Sequence, residues 1–240
     1  MKVEHEFFIG FRDVDHLNEL TNTAMLAYLE NMGGIHSDLV GNGVNSNNNC
    51  TWVLLAWKVR ILKRPKFGDT IKIVTWSREM EKFYAYRDYK VYNEQDELIC
   101  VATSKWVYID IEKGKIIKVS AEVEELYQNE KIYAFPEEES KFSKLVEPET
   151  KLSNIEFKII RSMIDTNHHL HNIYYLDIAK EVLPEEVYRK NQFNDFEVMY
   201  KKEVKYEDTV KVFYSYENDK HIVTIKNNEE TELHAIIVMY

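Results

Sequence analysis

Apolar residues along the chain follow two spacings. Met25, Leu29, Met32, Ile35 and Leu39 recur at three- and four-residue steps, which predicts an amphipathic helix with one buried stripe. Ile173, Leu176, Ile178 and Ala179 do the same more briefly, and Pro184 is placed to stop that second helix. The other apolar runs are short and rich in β-branched and aromatic residues. They predict strands at 52–62, 70–76, 83–92 and 98–109, and again at 196–204, 210–216, 221–226 and 233–240. Lys66-Phe67-Gly68-Asp69 and Asn93-Glu94-Gln95-Asp96 supply turn chemistry between strands.

The same grammar is written twice: short strand, loop, helix, several strands. Asp15 aligns with Asp165, Leu20 with Leu170, Asn22 with Asn172 and Leu26 with Leu176. Further on, residues 66–73 lie over 205–212, and Glu97-Leu98 over Glu232-Leu233. One helix against a meander of antiparallel strands, repeated, predicts an α+β architecture of two helix-wrapped sheets pairing as a pseudo-dimer. Pro136-Glu137-Glu138-Glu139-Ser140 and Val146-Glu147-Pro148-Glu149 read as an exposed acidic linker. The expected boundaries are therefore 1–135, a linker at 136–150, and 151–240.

Composition narrows the classes. With 45% hydrophobic residues the chain of 240 can build a core, so a disordered chain is excluded. A net charge of −10 argues against a general nucleic-acid binder. Cys50 and Cys100 form no CxxC pair and suit a reducing compartment. No apolar run reaches the roughly 18–20 residues of a membrane span, and the charged first residues do not resemble a signal peptide, so a cytoplasmic location is expected. Charge is also unevenly placed: residues 58–90 carry ten basic side chains against four acidic ones. That stretch reads either as ordinary solvated strand faces or as a surface that steers an acidic partner.

The densest polar cluster is Asp165-Thr166-Asn167-His168-His169-Leu170-His171-Asn172, just ahead of the second helix. In an extended loop the alternate side chains Asp165, Asn167 and His169 point the same way and can converge. The competing reading is a capped helix start with solvated histidines. Three histidines in four residues fit no common metal spacing.

These residues resemble the signature of the acyl-acyl-carrier-protein thioesterase family, Asp-x-Asn-x-His-x-Asn-Asn-x-x-Tyr, departing from it only at His171. Glu181 and Pro184 also fall where that family has a Glu and a Pro. In the first half Trp52-Val53-Leu54, Arg60-Ile61, Pro65-Lys66-Phe67-Gly68-Asp69-Thr70, Thr75-Trp76, Arg87-Asp88 and Ala102-Thr103-Ser104-Lys105-Trp106 resemble family segments without a gap. Tyr200-Lys201-Lys202-Glu203-Val204 matches a Tyr-Arg-Arg-Glu-Cys segment, which implies a fourth catalytic position at Glu203. The cysteine that follows in plant members is Val204 here, so no thiol nucleophile is expected and direct attack by water is favoured.

The resemblance implies a tandem hotdog fold, no metal or organic cofactor, and hydrolysis of fatty acyl thioesters on acyl carrier protein. Glu203 is the expected base, with His169 assisting, Asn167 orienting water or substrate, Asp165 holding the loop, and backbone N–H groups at the second helix start receiving the oxyanion. Strand alternation does not fix the face of Glu203. The first copy has Leu17, Glu19 and Arg64 at the positions of Asn167, His169 and Glu203, so one catalytic site is expected rather than two. The first half is then expected to shape an acyl tunnel lined by Met25, Met32, Trp52, Trp57 and Trp76, although plain core packing accounts for each equally well. Arg60, Arg64, Lys201 and Lys202 are candidates for carrier binding. An acyl-CoA thioesterase, a hydratase of the same fold and a non-catalytic acyl-binding module are the alternatives, and a homodimer is left open.

Overall fold

The computed structural model describes residues 1–43, 49–190 and 193–240. The chain forms two compact units, Met1–Phe142 and Ser143–Tyr240. The first contains β1 (Lys2–Phe8), α1 (Asn22–Leu39), β2 (Cys50–Ile61), β3 (Thr70–Glu81), β4 (Tyr84–Tyr92), β5 (Leu98–Asp110), β6 (Lys115–Ile116) and α2 (Ala121–Tyr127). All pairings are antiparallel and run β1-β3-β4-β5-β2, with β6 on the far end of β5. The stripe of α1 is sealed over its first three members: Met25, Leu29 and Met32 are 0% exposed, whereas Ile35 is half-buried and Leu39 is exposed at the helix end, and α1 packs on β1 and β3. Thr21 caps the helix by accepting a hydrogen bond from Ala24 N at 3.1 Å, which sets its start ahead of the first apolar position.

The second unit contains β7 (Ser153–Lys158), α3 (Tyr174–Lys180), α4 (Glu185–Lys190), β8 (Asp195–Tyr200), β9 (Thr209–Glu217), β10 (Lys220–Asn227) and β11 (Leu233–Met239). Its antiparallel order, β7-β9-β10-β11-β8, repeats that of the first unit strand for strand. Buried Leu176, Ile178 and Ala179 turn α3 onto β10 and β11.

Three features differ from the sequence expectation. Pro184 ends one helix but begins another, because its carbonyl accepts from Val187 N and Tyr188 N at 2.9 Å each. Strand β8 stops at Tyr200, four residues early, so Glu203 lies in a loop and strand alternation does not govern it. Finally, residues 136–142, expected as exposed linker, belong to the first unit, where Lys58 Nζ donates to Glu139 O, Ser140 is buried and Phe142 stacks on Tyr86; they continue a segment that is already anchored. Trp76 Nε1 donates to Ile132 O (2.8 Å), Ala134 N donates to the buried Asp88 Oδ2 (2.7 Å), and Phe135 is buried. Behind them Arg78 pairs with Asp88 at 3.4 Å, and Arg87 Nη1 donates to His36 Nδ1 at 2.7 Å. Burial and the Arg87 charge hold His36 down to about 3, so it is neutral.

Candidate active site

The polar cluster ahead of α3 is a tight turn built around one carboxylate. Asp165 Oδ1 accepts from Asn167 N (2.8 Å) and His169 N (3.1 Å), while Asp165 N donates to His169 O (2.9 Å). His168 takes the left-handed conformation this closure needs, with φ of 63°, and its N–H donates to Asp165 O at 3.1 Å. Leu170 N donates to Val204 O at 2.7 Å, tying the turn to the segment after β8.

The loop before α1 is the same object. Asp15 Oδ1 accepts from Leu17 N (2.8 Å) and Glu19 N (3.1 Å), Asp15 N donates to Glu19 O (2.9 Å), and Asn18 has φ of 62°. Leu20 N donates to Pro65 O at 2.8 Å, the counterpart of the Leu170 bond. Asp15 and Asp165 therefore do one job: each accepts two backbone N–H groups and fixes a turn.

What hangs on this shared frame differs. Asn167, with Nδ2 3.3 Å from Asp165 Oδ2, replaces Leu17, and half-buried His169 replaces Glu19. At the first helix Thr21 caps the free N–H groups, whereas no side chain caps α3. Arg64 reaches back to the first turn, donating to Leu20 O (2.7 Å) and Asn22 Oδ1 (2.8 Å), and burial pulls its pKa down to about 10. Glu203 holds the equivalent place with the opposite charge, exposed, one residue before the carbonyl that anchors Leu170. Its field reaches Tyr175: burial first, then the charges of Glu203 and Asp165, raise that phenol well above its ordinary pKa.

Asp165, Asn167, His169 and Glu203 thus share one neighbourhood, although not through alternation in an extended loop. Asp165 touches Asn167 directly and holds His169 through its backbone, and the Leu170–Val204 bond ties this turn to the segment that carries Glu203. Val204 is 0% exposed, so its side chain packs in the core and could not serve as a nucleophile in any form. Tyr175 is the tyrosine that closes the Asp-x-Asn-x-His-x-Asn-Asn-x-x-Tyr signature; at helical spacing a buried aromatic reads as core, and its replacement by Met25 in the other copy is the further signal that sets it apart.

The remaining candidates are dispersed. Met25 and Trp57 are sealed in the first core, and Trp52 lies against Tyr108 with ring centres 4.5 Å apart. Arg60 pairs with Glu139 at 2.8 Å and, like Lys58, lies over the Phe135 ring, while Lys58 Nζ donates to Glu139 O. Arg78 and Arg87 are buried, and Lys63 and Lys72 pair with Glu97 and Asp96. Of the ten cations at 58–90, Arg60, Lys63 and Lys72 thus pair with acids from elsewhere in the unit, and Arg78 and Arg87 are inside it. Lys202 pairs with Glu232 as Lys63 pairs with Glu97, whereas exposed Lys201 and Lys205 have no acidic partner among the described residues. Lys202, Glu203, Lys205, His234 and Glu232 edge an open polar groove of about 490 Å³. No cluster of metal-ligating side chains occurs among the described residues, and none of the described helices is long and apolar enough to cross a membrane.

Two helix-bearing antiparallel sheets of identical strand order, each entered through the same Asp-centred turn, define a tandem hotdog protein. The sequence pattern of the acyl-ACP thioesterase N-terminal domain matches residues 1–127, and that of the C-terminal domain matches residues 146–238. The chain belongs to the acyl-ACP thioesterase family. It is 25% identical over 243 residues to an oleoyl-acyl carrier protein thioesterase of Coriandrum sativum, covering 94% of this chain and 66% of that protein. It is 26% identical to an Arabidopsis thaliana oleoyl-acyl carrier protein thioesterase, covering 88% of this chain and 62% of the other. The chain therefore spans less than two thirds of these relatives' length. Its fold is shared with an acyl-ACP thioesterase from Bacteroides thetaiotaomicron (TM-score 0.86, 22% identity, 99% of this chain and 96% of that one). It is shared equally with the 12:0-ACP thioesterase of Umbellularia californica (TM-score 0.86, 16% identity, 99% and 96%).

Proposed function

We propose that the protein hydrolyses the thioester of fatty acyl-acyl carrier protein, releasing free fatty acid, with Glu203 as general base. The observation that carries this reading is the asymmetry of a duplicated frame. Asp165 and Asp15 build the same turn, but only the second puts an amide and an imidazole at the third and fifth positions, Asn167 and His169, with the carboxylate of Glu203 after the strand; the first has Leu17, Glu19 and Arg64 at those places. Hydrolysis needs a proton acceptor for water, a group to orient it, and N–H donors for the oxyanion. Glu203 accepts the proton, His169 assists, and Asn167 orients water or substrate through an amide that both donates and accepts. The uncapped turn leading into α3 is where the oxyanion would rest.

The second unit is the catalytic half on this reading, and the first houses the acyl tail, with Met25, Trp52 and Trp57 in or beside its core. Arg60, Arg64 and Lys202 are engaged within the chain, which leaves Lys201 and Lys205, flanking Glu203, as the better-supported contacts for an acidic carrier. The free thiols Cys50 and Cys100 support a reducing compartment, such as the cytoplasm, as its place of work.

The test is hydrolysis of acyl-carrier-protein and acyl-CoA thioesters from short to long chains, by the wild type and Glu203→Gln. Release of fatty acid from the carrier, falling on the order of 10²–10⁴-fold in the variant, is the expected result. Preference for CoA would replace the carrier by the second reading. Binding without turnover would leave an acyl-binding module.

A further inference from the structure

Where two copies share a backbone, their chemical differences mark what one half does and the other does not. Tyr175 occupies in α3 the place of Met25 in α1, and Tyr200 in β8 that of Ile61 in β2. Met25 is 0% exposed and fills its site with an apolar side chain. A tyrosine is not needed to fill the core at this position.

Tyr175 is 2% exposed, and its ring is held edge-on against Tyr200 with centres 5.3 Å apart and planes at 79°. Tyr200 is itself fixed by donating from its hydroxyl to Asn172 O at 2.9 Å. The Tyr175 ring is thus locked between the loop that leads into α3 and the end of β8. Its hydroxyl makes no hydrogen bond among the described residues, and it is not one of the five described polar atoms that are both sealed and unpaired. The ring is buried while the hydroxyl is not fully sealed. Burial first, then the charges of Glu203 and Asp165, raise the phenol above its ordinary pKa, so it remains a hydrogen-bond donor at neutral pH.

We propose that the Tyr175 hydroxyl is a further catalytic group of this site, holding the water that Glu203 deprotonates. The inference rests on the hydrolytic reading above and deepens it. In the step, the water oxygen bonds to the thioester carbonyl carbon and its proton passes to Glu203. The carbon–sulfur bond breaks, and the proton leaves with the carrier thiol. Tyr175 keeps its own proton and donates it as a hydrogen bond to the carboxylate while its oxygen accepts from the water. A rigid phenol fixes one position for the water, where Glu203 alone, exposed on a loop, would allow several.

The experiment compares Tyr175→Phe, Glu203→Gln and the double variant on one acyl-carrier-protein substrate. Phe keeps the ring and its packing, so the melting temperature should stay within about 2 °C of wild type. Expected is a kcat lower by on the order of 10- to 100-fold with KM within about twofold, since the group acts on water rather than on substrate binding. The double variant should be no slower than Glu203→Gln alone, as groups acting on one water work as a unit. Wild-type kcat in Tyr175→Phe, or a loss carried by KM alone, with Glu203→Gln slow, would overturn the role of Tyr175 and leave the hydrolytic reading standing. Wild-type turnover by Glu203→Gln would overturn both.

Discussion

Residues 11–20 and 161–170 close one turn with the same atoms. In each, an aspartate Oδ1 takes two backbone N–H groups within 0.1 Å of the same distances, and a residue near φ of 60° reverses the chain. Yet one presents Leu17 and Glu19, backed by Arg64, and the other Asn167 and His169, backed by Glu203. The frame needs only its aspartate and its left-handed residue, so the positions between are free to carry chemistry or not. An aspartate beside an imidazole invites a proton-relay role, but the presence of Asp15 in the other copy shows that holding the loop is sufficient reason for Asp165. This changes what each substitution should cost.

The largest effect is expected from writing the first copy's residue into the second. Glu203→Arg should leave the fold intact, because residue 203 is exposed, and should lower turnover on the order of 10²–10⁴-fold in a thioester assay. Retained turnover would break the comparison at its base. The reciprocal site should respond in the opposite sense. Arg64→Gln removes the donors to the Leu20 carbonyl and the Asn22 amide in a partly buried place, so denaturant unfolding should show a loss of about 1–3 kcal/mol. Turnover at a permissive temperature should be unchanged.

The smallest effect concerns the first unit's interior. His36 is fully buried with its pKa depressed from 6.5 to about 3, so the unfolded chain binds its proton first as pH falls. Stability from this group is complete above about pH 6.5 and is lost progressively toward pH 3. Replacing His36 by Gln, which keeps an acceptor for Arg87, should lessen the stability lost between pH 7 and pH 5 by on the order of 1–2 kcal/mol. An unchanged pH dependence would mean that His36 does not titrate with unfolding.

Much of this was legible in the sequence because it depends on local pattern. The stripe from Met25 to Leu39 and the paired β-rich runs specify the elements, and Asp15 over Asp165 with residues 66–73 over 205–212 specifies the repeat. What depends on distant partners was not legible. Glu203 looked like a strand residue because Val204 is apolar, but Val204 belongs to the core through a loop whose carbonyl is bound by Leu170. Ten cations at 58–90 looked like a surface, whereas Asp96, Glu97 and Glu139 neutralise several of them and Arg78 and Arg87 are inside. The segment 128–142 is secured by an indole N–H and a buried carboxylate, and neither leaves a periodic trace. Tyr175 stands in the signature, but spacing alone gives it no role beyond a core aromatic.

The most direct test is to exchange the two loops' side chains and measure steady-state hydrolysis of one acyl-carrier-protein thioester. Asn167→Leu with His169→Glu copies the first loop into the second, and Leu17→Asn with Glu19→His does the reverse, both on frames that the aspartates and backbone hold. The account predicts that the first exchange lowers kcat on the order of 10²–10⁴-fold and the second leaves it within about twofold. Equal losses from both exchanges, or full activity after the first, would contradict it.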